Sequence, residues 1–242
     1  MVDRRRFLVG SLPAFGAATT AAAEPEGIDS LGKFELVLGR PGVVVGVPHG
    51  TPDVGTMDIG RIVRERLGAG GVFVTGFWDR TTRERINVNR PTEQIIGPNS
   101  QVVRQWPSAR AAAANARYEG LVKQASQGRL EVFYEMHSNS RPELAGSFEV
   151  STLGLDRGDA ARLKAAFEVA RDRLPADVPR LVMHVSPLDK VSYPNYGAAS
   201  TISKLSRRGC AIEGSGRVLA NRTWRLAYAG CLGEAIAVAN WG

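Results

Sequence analysis

Short apolar runs alternate with longer amphipathic segments along most of the chain. The apolar runs are rich in β-branched residues and are typical of strands, several of them buried on both faces of a sheet. They lie at 34–39, 43–47, 71–77, 130–136, 147–153, 180–185 and 209–214. The amphipathic segments have helical periodicity and lie at 56–68, 108–128, 156–174 and 221–240.

This alternation predicts an α/β fold with a mixed, mostly parallel sheet flanked by helices on both faces. The chain has 242 residues, of which 43% are hydrophobic, and this is enough to bury one full core. No internal repeat or low-complexity linker divides it. We therefore expect a single domain over residues 24–242.

The first 23 residues have the composition of an export signal and not of a folded segment. They combine a basic start, an apolar middle too short to span a bilayer, and small residues up to Ala23. The pair Arg4–Arg5, followed after one residue by Phe7 and Leu8, resembles a twin-arginine signal. The prediction is a signal peptide over 1–23 and a periplasmic or secreted protein. An ordinary secretory signal or an uncleaved anchor are the alternatives.

The charge of the chain gives no indication of a nucleic-acid partner. Without residues 1–23 the formal net charge falls from +7 to +5, and the basic residues are scattered. No basic run is interleaved with aromatic residues, as a nucleic-acid groove would require. We expect neither nucleic-acid binding nor stable membrane insertion after the signal is removed. The oligomeric state is not indicated.

The two cysteines, Cys210 and Cys231, are too few for a disulfide framework and lack the spacing of a zinc ribbon. An oxidising compartment would permit one bridge between them. Both lie in apolar surroundings, where buried free thiols are equally compatible with the sequence. The two states stay open.

Three chemically competent side chains lie where predicted strands end: His49, His137 and Glu213. In α/β sheets the functional crevice lies outside the carboxyl ends of the strands. Catalytic zinc sites commonly use two histidines and one carboxylate and leave one position open. His49 and His137 are the candidate imidazole ligands. Asp53 is the first candidate for the carboxylate, and Asp58, on the next helix, is the alternative.

Four short motifs carry a family resemblance. The sequences "PHG" (48–50), "INVNRPTE" (86–93), "MHS" (136–138) and "IE" (212–213), in this order, resemble the N-formylglutamate amidohydrolase family. That family is distantly similar to the zinc carboxypeptidases. The resemblance implies a zinc-carboxypeptidase-like or phosphorylase/hydrolase-like fold and a zinc-dependent (Zn²⁺) amidohydrolase activity.

The resemblance also implies roles for individual residues. His49, a nearby carboxylate and His137 would bind the zinc ion, and Glu213 would act as the general base. The carboxypeptidase pattern has its carboxylate three residues after the first histidine, where this chain has Pro52. The departure leaves Asp53, one residue further, as the expected third ligand.

The pair Asn89 and Arg90 corresponds in the resemblance to the residues that bind a substrate carboxylate. A guanidinium group can hold a carboxylate through two parallel hydrogen bonds. Arg85 is a further candidate for substrate binding, and Arg80 and Arg83 add to the positive charge of the same stretch. We expect a small acidic amide or peptide as the substrate.

Two other features have weaker functional interpretations. His184 lies in the middle of an apolar run, which favours a core or wall position over a ligand role. The segment "VSYPNYG" (191–197) offers Tyr193 or Tyr196 to polarise the reacting group, although aromatic loop residues more often pack.

Together these features predict an exported zinc amidohydrolase that cleaves an amide bond of an acidic N-acyl amino acid or of a γ-glutamyl or cell-wall peptide. A zinc carboxypeptidase and a poly-γ-glutamate hydrolase are the alternatives within the hydrolases. A non-catalytic exported binding module is the alternative of another class.

Overall fold

A seven-stranded sheet with helices on both faces carries most of the chain in the computed structural model, which describes residues 27–192 and 200–239. The strands are β1 (Gly32–Val37), β2 (Arg40–Val47), β3 (Ala69–Gly76), β4 (Glu84–Asn87), β5 (Thr92–Ile96), β6 (Val102–Pro107), β7 (Val132–Asn139), β8 (Ser147–Leu153), β9 (Val182–Val185) and β10 (Arg208–Ser215). The helices are α1 (Ile28–Leu31), α2 (Thr56–Leu67), α3 (Ala109–Ser126), α4 (Arg157–Asp172), α5 (Thr201–Leu205), α6 (Gly216–Leu219) and α7 (Arg222–Ala239).

The large sheet has the order β1-β3-β2-β7-β10-β8-β9. Its central strands β3, β2, β7 and β10 run parallel, whereas β1 pairs antiparallel with β3 and β8 pairs antiparallel with β10. The sheet is therefore mixed and mostly parallel, as the alternation of strands and helices predicts. The strands β4, β5 and β6 form a separate antiparallel sheet.

Helices cover both faces because the central strands are apolar on both sides. Along β2, Val43, Val45 and Val47 pack into a core with α2, α4 and α7. Val44, between them, packs into a second core with α3. Period-two alternation of side chains places the two sets on opposite faces of the strand. The single-domain α/β architecture is confirmed.

Polar caps set the starts of two of the helices. The Ser108 side chain accepts a hydrogen bond from the Ala111 backbone N–H at the start of α3. Asp156 and Asp159 form a reciprocal capping box at the start of α4. Such caps satisfy backbone N–H groups that the first helical turn leaves without partners.

All seven predicted strands and all four predicted helices are present, with ends that move by a few residues. The small sheet is the main difference, because the apolar pattern predicts no strand between 77 and 130. Its last strand, β6, is exposed along nearly its whole length, so it has no apolar alternation to detect.

The thiols of Cys210 and Cys231 are both buried and free. Burial raises the pKa of each thiol, for Cys231 to about 12, so neither is a reactive thiolate. Within residues 27–192 and 200–239, no helix has the length and hydropathy needed to cross a membrane. The predicted signal at 1–23 lies outside the described residues and stays a prediction.

Candidate active site

A pocket of about 380 Å³ lies at the carboxyl ends of the central parallel strands. His49 follows β2, His137 lies near the end of β7, and Glu213 lies near the end of β10; all three line the pocket. Because these strands are parallel neighbours, their carboxyl ends meet at one edge of the sheet. Strand order therefore brings together side chains that are far apart in sequence.

Asp53 returns to His49 through a tight turn. The Asp53 backbone N–H donates to the His49 carbonyl at 2.9 Å, which closes the turn. Gly50, within it, donates to the Val74 carbonyl, and a Cβ at this position would overlap that backbone oxygen as well as the Met57 side chain. A glycine is therefore needed at the point where the turn approaches its neighbours most closely.

Three potential ligand atoms converge in the pocket. Oδ2 of Asp53 lies 3.4 Å from Nδ1 of His49 and 3.3 Å from Nδ1 of His137. The ligand atoms of the three residues all lie within 4.8 Å of one another, and the three side chains are buried. Two imidazole nitrogens and one carboxylate oxygen form the protein ligand set of many catalytic zinc sites.

Nδ1 of His49 is a buried atom without a hydrogen-bond partner among the described residues. Its 3.4 Å approach to Asp53 lacks the geometry of a hydrogen bond. A buried polar atom left in this state is costly, so such atoms in native proteins usually have a partner or a bound ion. The orphaned nitrogen and the donor set together fit a divalent cation such as zinc.

The other ring nitrogen of each histidine has a partner outside the cluster. Nε2 of His49 lies 2.7 Å from Oδ1 of Asn87, and Nε2 of His137 lies 3.1 Å from Oε2 of Glu135. Both partners are acceptors, so each Nε2 must carry a proton and donate it. In the neutral rings this leaves the Nδ1 lone pairs directed at the cluster, an arrangement common in metal sites.

Without a cation, the electrostatics of the cluster favour a second proton, and therefore a positive charge, on His137. Burial, followed by the positive charge of Arg85, lowers the pKa of His49 to about 4. Burial opposes a charge on His137, but hydrogen bonds to Asp53 and Glu135 outweigh it and raise its pKa to about 10. Burial likewise opposes ionisation of Asp53, yet the two histidines hold its pKa far below the usual range.

Glu135 is almost fully buried behind His137 and is held by two further donors. The Asn89 amide nitrogen donates to its Oε2 at 2.9 Å, and the Tyr118 hydroxyl donates to its Oε1 at 3.3 Å. Burial acts against its charge, but the contact with His137 prevails and keeps its pKa below the ordinary value. Gly46 makes room for this arrangement, since a Cβ there would overlap the Tyr118 hydroxyl.

Glu213 lies directly beside His137, on the neighbouring parallel strand. The Asn139 amide nitrogen donates to its Oε2 at 3.1 Å. The carboxylate thus faces the same pocket as the histidines, and its charge contributes to the raised pKa of His137.

The candidate substrate-binding residues also line the pocket: Asn89, Arg90 and Arg85. The Asn89 amide is engaged with Glu135, so it supports the histidine from behind. Arg85 donates through Nη1 to Oδ1 of Asp53 at 3.4 Å and through Nε and Nη2 to Oε1 of Gln94.

The other candidates from the sequence lie apart from the cluster. Asp58 accepts from Nε of Arg225 at 2.6 Å and is not one of the three converging ligand residues. His184 lies half-buried on the edge strand β9, outside the pocket lining. Tyr193 and Tyr196 lie outside the described residues.

The sequence reasoning missed Glu135, Asn87 and Tyr118. Glu135 had a detectable signal, because it is a carboxylate inside an apolar strand, two residues before His137 and therefore on the same face. Asn87 and Tyr118 gave no comparable signal, since their contacts depend on how separate elements pack.

No protein-family model matches this chain, and no curated protein matches it. The resemblance to N-formylglutamate amidohydrolases therefore stays a hypothesis. Solved structures do match. A bacteriophage poly-γ-glutamate hydrolase aligns with a TM-score of 0.53 and 12% identity, over 86% of this chain and 88% of the other. The gene product Atu2144 from Agrobacterium tumefaciens aligns with a TM-score of 0.51 and 16% identity, over 87% and 96%. At such identities the likeness shows a shared fold.

Proposed function

We propose that the protein is an exported, zinc-dependent amidohydrolase that cleaves an amide bond in an acidic, γ-linked glutamyl substrate. The observation that carries this proposal is the convergence of Nδ1 of His49, Oδ2 of Asp53 and Nδ1 of His137 beside Glu213. His49, Asp53 and His137 would hold the cation. Zinc bound there would supply a Lewis acid that polarises the amide carbonyl and lowers the pKa of a water molecule.

Glu213 is the general base in this proposal. Its carboxylate takes a proton from the attacking water and passes it to the leaving nitrogen, so that the amide is split into an acid and an amine. Asn139 holds one carboxylate oxygen in place while Glu213 does this. Asn87 and Glu135 fix the orientation of the two histidine rings by accepting from their Nε2 atoms.

The arginine side chains in the wall of the pocket are the evidence for an acidic substrate. Arg83, Arg85 and Arg90 line it, and guanidinium groups bind carboxylates with matched geometry. The similar bacteriophage structure is a poly-γ-glutamate hydrolase by name, which agrees with this class of substrate. The predicted signal at 1–23 also favours an extracellular polymer or cell-wall peptide over N-formylglutamate, the remaining candidate.

The test is turnover of a substrate panel by the mature protein before and after removal of metal with a chelator. The panel contains poly-γ-glutamate, γ-glutamyl peptides, muropeptides and N-formylglutamate. We expect cleavage of a γ-glutamyl substrate that is lost on chelation and restored by zinc. Binding of these compounds without any cleavage by the zinc-loaded protein would favour the non-catalytic binding module instead.

A further inference from the structure

Three paired side chains cross the small sheet that forms one wall of the pocket. Arg85 on β4 pairs with Gln94 on β5, and Gln94 pairs with Gln105 on β6. Residues paired directly across strands project from the same face of a sheet. All three side chains accordingly line the pocket.

Hydrogen bonds join these side chains into a ladder. Nε and Nη2 of Arg85 lie 3.2 and 2.6 Å from Oε1 of Gln94. Nε2 of Gln94 lies 2.8 Å from Oε1 of Gln105. At its inner end the ladder reaches the candidate metal cluster, because Nη1 of Arg85 also donates to Oδ1 of Asp53.

The direction of the ladder follows from the chemistry of arginine. A guanidinium group has donors and no acceptor, so the Gln94 atom that faces Arg85 must be the oxygen. The Gln94 amide nitrogen then faces Gln105 and requires the oxygen of that side chain. The orientation of both amides is therefore set by Arg85.

One consequence is that Gln105 turns its oxygen inward and its amide nitrogen outward. Gln94 is 4% exposed, whereas Gln105 is exposed at the open side of the pocket. Within the part of the chain that the structure describes, no hydrogen bond occupies the Gln105 amide nitrogen. The ladder thus ends in the N–H donors of the exposed Gln105 amide.

We propose that the ladder formed by Arg85, Gln94 and Gln105 is a subsite for a substrate carboxylate next to the scissile amide, with Gln105 as the donor. The inference rests on the proposed function, in which the substrate is a γ-linked glutamate chain with free α-carboxylates. A carboxylate accepts from N–H groups at both oxygens, and the arginines of the same pocket favour its charge. The link to Asp53 holds the subsite at a fixed place relative to the cleavage centre.

Gln94→Glu reverses the direction of the hydrogen bond between residues 94 and 105, and the new side chain has almost the same shape as glutamine. A glutamate at 94 still accepts from Arg85 but has no donor for Gln105, which must then turn its amide nitrogen inward and its oxygen toward the ligand. Two probes read out this reversal: a γ-linked glutamate trimer and the same trimer with its α-carboxylates converted to carboxamides. Binding is measured by calorimetry on zinc-loaded protein that carries Glu213→Gln to prevent turnover.

We expect Gln94→Glu to weaken binding of the carboxylate trimer by about tenfold and binding of the carboxamide trimer by less than about threefold. Gln101→Glu is the matched control. It adds the same charge at an exposed residue between β5 and β6 that does not line the pocket. It should change neither affinity by more than about twofold. Equal losses for the two trimers, or no loss for either, would overturn the subsite.

Repeating the Gln94→Glu substitution in a second variant, Gln105→Leu, distinguishes reversal of the ladder from simple charge repulsion between residue 94 and the ligand. In Gln105→Leu protein the ladder has no terminal donor. Adding Gln94→Glu to this protein should therefore lower the affinity for the carboxylate trimer by less than about threefold. A full tenfold loss in that background would mean that long-range repulsion explains the effect and that the subsite is wrong. Turnover of the substrate panel by the wild-type protein is measured in parallel. Lack of turnover refutes the proposed function alone, because the binding comparison does not depend on it.

Discussion

Nε2 of His137 lies 3.1 Å from Oε2 of Glu135, and both side chains are buried. The two residues are separated by one position on β7, so they share a face of the strand. Glu135 orients the imidazole from behind while Nδ1 of the same ring faces Asp53. We expect this carboxylate to act on a bound metal through the histidine.

Glu135→Gln should weaken metal binding by about 10- to 100-fold, the usual effect of losing such a partner. The measurement is competition with a chromogenic zinc chelator, with circular dichroism as the check on folding. Glu149→Gln is the matched control, because Glu149 is also buried but lies on β8, which β10 separates from β7, and it accepts from the Ser192 backbone N–H. Equal losses of affinity in the two variants would contradict the orienting role.

Gly46→Ala should destabilise the protein by about 1–3 kcal/mol, the usual cost of forcing a group into a packed interior. The added methyl group would overlap the Tyr118 hydroxyl and approach the Phe133 ring. Urea denaturation measures the free energy of unfolding. Tyr118→Phe removes the hydroxyl and should recover part of the loss in the double variant. An unchanged free energy of unfolding in Gly46→Ala would show that this packing is wrong.

Asp53→Asn should reduce bound zinc, whereas Asp58→Asn should leave it unchanged. Asp53 directs Oδ2 at both histidines, while Asp58 forms an ion pair with Arg225. The two substitutions have the same chemistry and lie five residues apart, so each controls for the other. Metal analysis of the purified proteins is the measurement, and loss of zinc only in the Asp58 variant would reverse the assignment.

Changing Arg4 and Arg5 to lysine should trap the precursor in the cytoplasm, because the twin-arginine pathway requires the pair. Cell fractionation and immunoblotting would measure this. Mass spectrometry of the exported wild-type protein should find cleavage near Ala23. Undiminished export of the lysine variant would point to the general secretory pathway.

The sequence predicts the large sheet well because its central strands are apolar on both faces, as β2 and β7 are. It also predicts that His49 and His137 meet, since His49 follows the end of one such strand and His137 lies near the end of another. The choice of Asp53 over Asp58 depends on a turn closed by one backbone hydrogen bond, which no periodicity encodes. The ladder from Arg85 to Gln105 depends on the pairing of a small sheet whose last strand is exposed and has no apolar pattern.

The measurement that tests the central claim most directly is the zinc content of purified, mature protein by mass spectrometry of the metal. The account predicts about one zinc ion per chain in the wild type, loss of zinc in His49→Ala and in His137→Ala, and full retention in His184→Ala. His184 is the control because it is the remaining histidine and lies on the edge strand β9, away from the three converging ligands. Full zinc occupancy in His49→Ala, or a wild-type protein that binds no zinc, would contradict the account.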